Sequence, residues 1–123
     1  MEINRKPQDS TPGPAERFTG AVWYDEIGAT EHTTVMSVHF PPGARTAWHS
    51  HPQGQVLQVT EGAGLVQSRG GAREDIGAGD TVHAHPGEVH WHGAAPGTFM
   101  THIAVQEGAT DWLEHVTDDE YRG

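Results

Sequence analysis

Two short segments carry the residue types most able to do chemistry: WHSHPQGQ at 48–55 and HPGEVHWHG at 85–93. Alternate residues of an extended chain point to one side, about 6–7 Å apart, so His49 and His51 suit two ligands of one ion. Gln55 opens the next run after the Pro52–Gly54 turn and could return an amide oxygen to the same point. By the same alternation His90 and His92 share a face, so four imidazoles could converge. A metal rarely takes every donor available, and open positions are the ones that do chemistry. A His-x-His in an extended run also occurs as a surface or hydrogen-bonded pair. Three features favour the metal reading here: the Gly43 turn upstream, a side-chain oxygen four residues beyond His51, and a second histidine cluster after Gly79-Asp80 and Pro86-Gly87.

Such residues need a rigid frame, and the sequence predicts an all-β one. Short β-type runs, FTGAVWY, TTVMSVHF, PPGARTAWHSH, QVLQVT, GLVQSR, DTVHAH, EVHWHG and FMTHIAVQ, recur between turn residues as in a sandwich or barrel. Arg69-Gly70-Gly71-Ala72 reads as a hairpin tip, because paired glycines tolerate the positive φ of a tight turn. Only DWLEHV, 111–116, looks helical. Residues 1–17, polar and with three prolines, read as an N-terminal arm, and 18–123 as one β domain. Alternation puts Thr34, Met36, Val38 and Phe40 on one face of their run and Val35, Ser37 and His39 on the other. It likewise groups Met100, His102, Ala104 and Gln106 opposite Phe99, Thr101, Ile103 and Val105.

Composition narrows the partners. With 7 Lys and Arg against 17 Asp and Glu, the 123-residue chain has a formal charge of −10, which disfavours nucleic acid and anionic lipid. Without cysteine there is neither a disulfide nor a thiolate site. No apolar run reaches the roughly 18 residues of a membrane span, and no secretory leader is evident, so a cytoplasmic location is expected. Ten histidines imply that behaviour changes near pH 5–6, where the reference imidazole titrates at roughly 6.5.

The pattern Gly43-x5-His49-x-His51-x3-Gln55-x6-Gly62, then Gly79-x7-Gly87-x2-His90, resembles the two motifs of the cupin superfamily. Gln55 stands where the usual motif has Glu, His85 where it has Pro, and Ala94 where it has Asn. The segments FTGAVWYDEIG, GARTAWHSHPQGQ, HPGEVHWHGAAP, MTHIAVQE and DWLEHVTDDEYR are similar, from about Phe18 to Arg122, to small bacterial cupins that act as R-selective hydroxynitrile lyases. That resemblance implies a jelly-roll barrel, or double-stranded β-helix, ending in a short helical turn. It also implies a divalent metal, usually manganese, on His49, His51, Gln55 and His90, and proton transfer by His92 and His102. Iron, nickel, cobalt and zinc suit the same donors. The reaction implied is the cleavage or formation of cyanohydrins such as (R)-mandelonitrile, in a homodimer or homotetramer joined through barrel edges.

The residues suit that chemistry. A glutamine ligand leaves a divalent ion its full charge, making it a stronger Lewis acid than one neutralised by carboxylate. His102 could act as base on the cyanohydrin hydroxyl, and His92 could steady the cyanide or relay its proton. Thr46 and Gln106 could supply hydrogen bonds, and Met36, Val38 and Phe40 an apolar wall for an aromatic small-molecule substrate. Rim or surface positions are expected for His83 and His85, structural or exposed ones for His32, His39 and His115, and sheet packing for Trp48 and Trp91. A metal-dependent dioxygenase and a non-catalytic small-ligand binder are the alternatives, separated from the lyase by oxygen uptake or by binding without turnover.

Overall fold

The computed structural model describes residues 1–6 and 9–123. Twelve strands run along the described chain: β1 (Thr11–Pro12), β2 (Phe18–Thr19), β3 (Trp23–Ala29), β4 (Thr33–Phe40), β5 (Arg45–Thr46), β6 (His49–Ser50), β7 (Gln55–Ser68), β8 (Glu74–Gly77), β9 (Thr81–Ala84), β10 (His90–Ala94), β11 (Met100–Glu107) and β12 (Asp111–Trp112). A single helix, α1 (Asp118–Arg122), follows. Every strand pairing is antiparallel, and the order β1-β3-β4-β11-β7-β10-β5-β2 wraps into a barrel. This is the all-β barrel with a short C-terminal helical turn that the sequence predicts. Among the described residues no helix is long and apolar enough to cross a membrane.

The barrel closes because one long strand belongs to both of its walls. The first part of β7 pairs with β11 and β9, and its second part with β10 and β8. The corner is Gly62, at φ +77°, where a Cβ would lie 1.9 Å from the carbonyl oxygen of Phe99. Any side chain would collide with backbone there, so only glycine lets β7 turn from one wall to the other. One wall then consists of β3, β4, β11 and β9 with the start of β7, and the other of β2, β5, β6, β10 and β8 with its end. The hairpin between β7 and β8 turns at Gly70, φ +85°, as expected from the paired glycines.

Two apolar clusters hold this frame. Inside the barrel, Val22, Val38, Phe40, Val59, Ile76 and Met100 fill one end. On the back of the β10 wall, Trp48, Leu65, Trp91, Val116 and Tyr121 form a second cluster, so the two tryptophans do pack the sheet as expected. The C-terminal tail covers this cluster and is anchored by polar bonds. Tyr121 donates its hydroxyl proton to Ala94 O at 2.6 Å, and Arg45 donates to Val116 O and to Asp118, each at 2.8 Å.

One expectation from the sequence needs correcting. Residues 111–116 are not helical: Asp111 and Trp112 pair with β6, Leu113 N donates to Trp48 O, and Trp48 N donates to Glu114 O. Tertiary pairing overrides the local preference, which is weak over so few residues. The helix instead starts after Thr117, whose hydroxyl accepts from Glu120 N while the Glu120 side chain accepts from Thr117 N, a complete capping box. The N-terminal arm lies against the barrel. Thr11–Pro12 adds an edge strand to β3, and Gly13 N donates to Val22 O. Pro7 and Gln8 lie outside the described residues.

Candidate metal centre

The ligand cluster is assembled across the β6–β10 pairing, where His49 stands directly opposite His90. His51 follows β6 at the turn, and a nitrogen from each of the three rings lies within 4.8 Å of the other two. All three are buried, at 1–2% exposure. Backbone carbonyls fix two of the tautomers. His49 donates from Nδ1 to Ala47 O and His90 from Nδ1 to Glu88 O, both at 2.9 Å. Each ring therefore offers Nε2 as a bare lone pair. The third ring sets its Nδ1 3.3 Å from the Thr110 hydroxyl, and its buried Nε2 has no hydrogen-bond partner.

Gln55 completes the set at the start of β7. Its amide nitrogen donates to Gln106 Oε1 at 2.8 Å, which turns Oε1 toward His90 Nε2 at 3.0 Å. Since His90 already donates from Nδ1, those two atoms are both acceptors. A neutral pair of acceptors at that distance repels, and a cation between them turns the repulsion into two bonds. With the orphaned His51 Nε2, this fits a divalent ion on the four residues the sequence suggested.

Electrostatics keep the lone pairs free. Burial is the main cause of every shift: it takes His51 down to about 4 and pushes His49 and His90 below the ordinary imidazole value, with neighbouring imidazoles adding to the effect at His49 and His51. At neutral pH the rings are neutral ligands.

A second histidine pair adjoins the first set. His92, next along β10's inward face, lies 5.2 Å from the His49 ring and 5.6 Å from the His90 ring, centroid to centroid. Behind it His102 Nε2 is 2.9 Å from His92 Nδ1, leaving His92 Nε2 and His102 Nδ1 buried and unpartnered. Phe40 sits against both rings. A register shift between Thr101 and His102 in the β11–β7 pairing, a β-bulge, lies where the His102 side chain turns inward. Complete burial brings His102 down to about 3 and His92 well below its usual value.

One chamber of about 50 Å³ joins the two sets. His49, His51, Gln55, His92 and His102 line it, and Met36, Val38, Thr46 and Gln106 stand at its sides. Thr46 also accepts from His92 N at 3.2 Å, and Gln106 is engaged by Gln55. Phe40 backs the paired histidines rather than the chamber. Phe18, Thr110 and Trp112 line it too and were not anticipated. The misread helix hid Trp112, whose ring lies 4.8 Å from that of His49; for Thr110 no signal exists in the sequence. Of the remaining histidines, His32, His83, His85 and His115 are exposed, and His39 bonds Asp25 and Thr101 on the barrel's outside.

Residues 36–109 match the family described as "Cupin domain". The chain is 54% identical over 130 aligned residues, 99% of each protein, to an (R)-mandelonitrile lyase of Granulicella tundricola. A cupin-like protein of Thermotoga maritima superimposes with a TM-score of 0.88 at 44% identity, over 91% of this chain and 90% of that one. A cupin 2 conserved barrel domain protein of Rhodopseudomonas palustris shares the fold, with a TM-score of 0.72 at 20% identity over 91% and 79% of the two chains.

Proposed function

The chain belongs to the cupin family, and from that membership and the chamber's chemistry we propose that it is a metal-dependent lyase that cleaves and forms cyanohydrins of the (R)-mandelonitrile type. The observation that carries this reading is the paired His92 and His102, 2.9 Å apart, beside a cation-shaped set of donors in one buried chamber. Identity to a mandelonitrile lyase over nearly the whole chain supports the reaction class.

The ion proposed for His49, His51, Gln55 and His90 is divalent, manganese first, with iron, nickel, cobalt and zinc compatible with the same donors. When bound it supplies Lewis acidity for the negative charge that gathers on the substrate oxygen. The protein's own groups move the proton. His92 lies between His102 and the ligand cluster. Its Nε2, rather than His102 as the sequence suggested, is the atom we assign to take the hydroxyl proton as the carbon–cyanide bond breaks and its electron pair leaves with cyanide, because His92 stands in front of His102 with that nitrogen unpartnered. His102 Nε2 accepts from His92 Nδ1, sharing the positive charge so formed, and the proton returns from Nε2 to cyanide as HCN. The aldehyde is the other product, and the pair ends as it began. His92 Nε2 is buried with no hydrogen-bond partner, so its lone pair is free to accept a proton. Met36 and Val38 give the apolar side, and Thr46 holds β10 at His92.

The experiment is cyanide release from (R)-mandelonitrile under argon, run beside elemental analysis. Turnover without oxygen is expected. His49→Ala should lose metal and activity together. His92→Ala should lose about 10²–10⁴-fold in rate, the usual scale of a lost acid–base group, and His102→Ala should keep the metal and lose a smaller part of the rate, since it shares the charge formed on His92. A parental rate in His102→Ala would refute the paired-base assignment, and oxygen uptake in place of cyanide release would refute the lyase.

A further inference from the structure

Outside the reaction chamber lies a larger cavity of about 430 Å³ that shares Phe18, Met36, Val38, Gln106, Thr110 and Trp112 with it. The inner space, about 50 Å³, holds only a few heavy atoms by comparison with the room one water needs. On the lyase reading, a cyanohydrin whose carbinol reaches the histidines must therefore leave its aromatic ring in the outer cavity. Tyr24, Phe18 and Trp112 give that cavity aromatic walls suited to such a ring.

Its charge is unusual for this molecule. Although acidic residues outnumber basic ones 17 to 7, among the described residues no carboxylate lines the outer cavity, and Arg17 is the one charged side chain that does. Arg45, Arg69 and Arg122 are each matched to a carboxylate, whereas Arg17 makes no ion pair among the described residues. Its backbone is fixed to the site: Arg17 N donates to Pro14 O, and Ala47 N donates to Arg17 O at 2.8 Å, beside Thr46. The guanidinium carbon stands 5.4 Å from the centroid of Trp112, whose ring in turn faces His49 at 4.8 Å. One aromatic ring thus separates a cation from the ligand cluster.

We propose that Arg17 makes the outer cavity a carboxylate-recognising subsite, so that the preferred substrates are aromatic cyanohydrins and aldehydes bearing an anionic group on the end remote from the reacting carbon. A guanidinium matches a carboxylate with two parallel N–H donors, and with no carboxylate among the described lining residues it is the charged group an anion in the cavity meets first. The inference rests on the lyase reading for the reacting end and on Arg17 for the remote end.

The test compares the cyanohydrins of 4-carboxybenzaldehyde and its neutral 4-carbamoyl counterpart, taking the ratio of their kcat/KM values within each protein. In the parent the carboxylate should be favoured about 5-fold, the scale of an exposed charge-assisted contact, and less at high salt. Arg17→Gln should bring the ratio to about one, Arg17→Lys should keep part of it, and Arg17→Glu should invert it. A second readout uses the aldehydes alone, with quenching of tryptophan fluorescence giving their Kd ratio in the same proteins. Turnover with a ratio unmoved by Arg17→Gln overturns the subsite and leaves the lyase standing. Carboxylate-selective binding without turnover of either cyanohydrin keeps the subsite and removes the lyase. Equal affinity of both aldehydes for the parent, or no binding at all, overturns the subsite.

Discussion

At the scale of single residues, the decisive contact is between two amides. Gln55 and Gln106 face each other across β7 and β11 in direct register, and the bond between their side chains decides that an oxygen, not an NH2 group, looks toward His90. His49 and His51 were legible as a pair because alternation puts them on one side, whereas His90 was joined to them by the resemblance of the two motifs and is placed there by the β6–β10 pairing. The amide lock was not legible, because it depends on which residue of one strand meets which residue of another, and register is set by the assembled sheet. Its logic can be tested by a double-mutant cycle read as metal Kd. In Gln106→Glu the new carboxylate still accepts from the Gln55 amide, so metal binding should stay near parental. In Gln55→Glu, Gln106 can rotate to donate, so binding should hold or tighten while the cyanide-release rate falls with the ion's Lewis acidity. With both changes two carboxylates meet where one amide bond stood. One of them must then take up a proton or move away. A coupling of about 1–3 kcal/mol against the double variant is expected, the range seen for residues in contact. Additive effects would remove the lock from the account, and an unchanged rate in Gln55→Glu would remove the charge argument.

At the scale of elements, runs whose side chains alternate between a filled interior and an outer face were readable, and nearly all became strands. Met36 shares a face with Val38, and His102 with Gln106, as period two requires, and the assembled barrel turns those faces inward. What the sequence hides is how far one strand extends. The separate runs QVLQVT and GLVQSR are a single strand of 14 residues, bent at Gly62 so that both walls of the barrel share it. The tail fails for another reason. DWLEHV has helix-compatible residues, but six residues gain too little from propensity to resist pairing with β6 and Trp48. The stronger signal stood just beyond it, in Thr117-Asp118-Asp119-Glu120, whose spacing is that of a capping box. That error mattered at the site, since the extended tail is what lays Trp112 against His49 and gives Arg17 a ring to stand over.

At the scale of the whole molecule, a cluster of histidines held neutral makes folding sensitive to acid. The neutral form is favoured in the folded state, so the metal-free protein should keep its full stability above the unfolded imidazole value near 6.5. Stability should then fall as the pH drops toward about 4 for His51 and about 3 for His102, because the unfolded chain binds protons that the native one refuses. Across that window each group removes up to about 1.4 kcal/mol per pH unit. Urea titrations between pH 7 and pH 4 should show the decline, and loading with manganese should move it to lower pH; a flat profile for the metal-free chain would contradict the neutral cluster. The two walls also differ on their outer sides. The back of the β10 wall is covered by the tail, whereas on the back of the other wall Val35, Val105 and Val56 stand in register across β4, β11 and β7, with Val56 and Val105 39% and 36% exposed. Trp23 and Ile27 on β3 are exposed as well. A row of β-branched side chains on an open sheet face gains most from a copy of itself, because a two-fold axis lets one patch meet the same patch with every apolar residue paired. We infer that two copies associate through this face, rather than through the barrel edges that the family resemblance suggests, as a homodimer or as the unit of a homotetramer. Light scattering at micromolar concentration should give at least twice the mass of one chain. Val105→Asp should halve it while leaving the strand content unchanged, since the side chain points away from the core. A parent protein that scatters as one chain would rule the interface out, and an associated Val105→Asp protein would move it to another face.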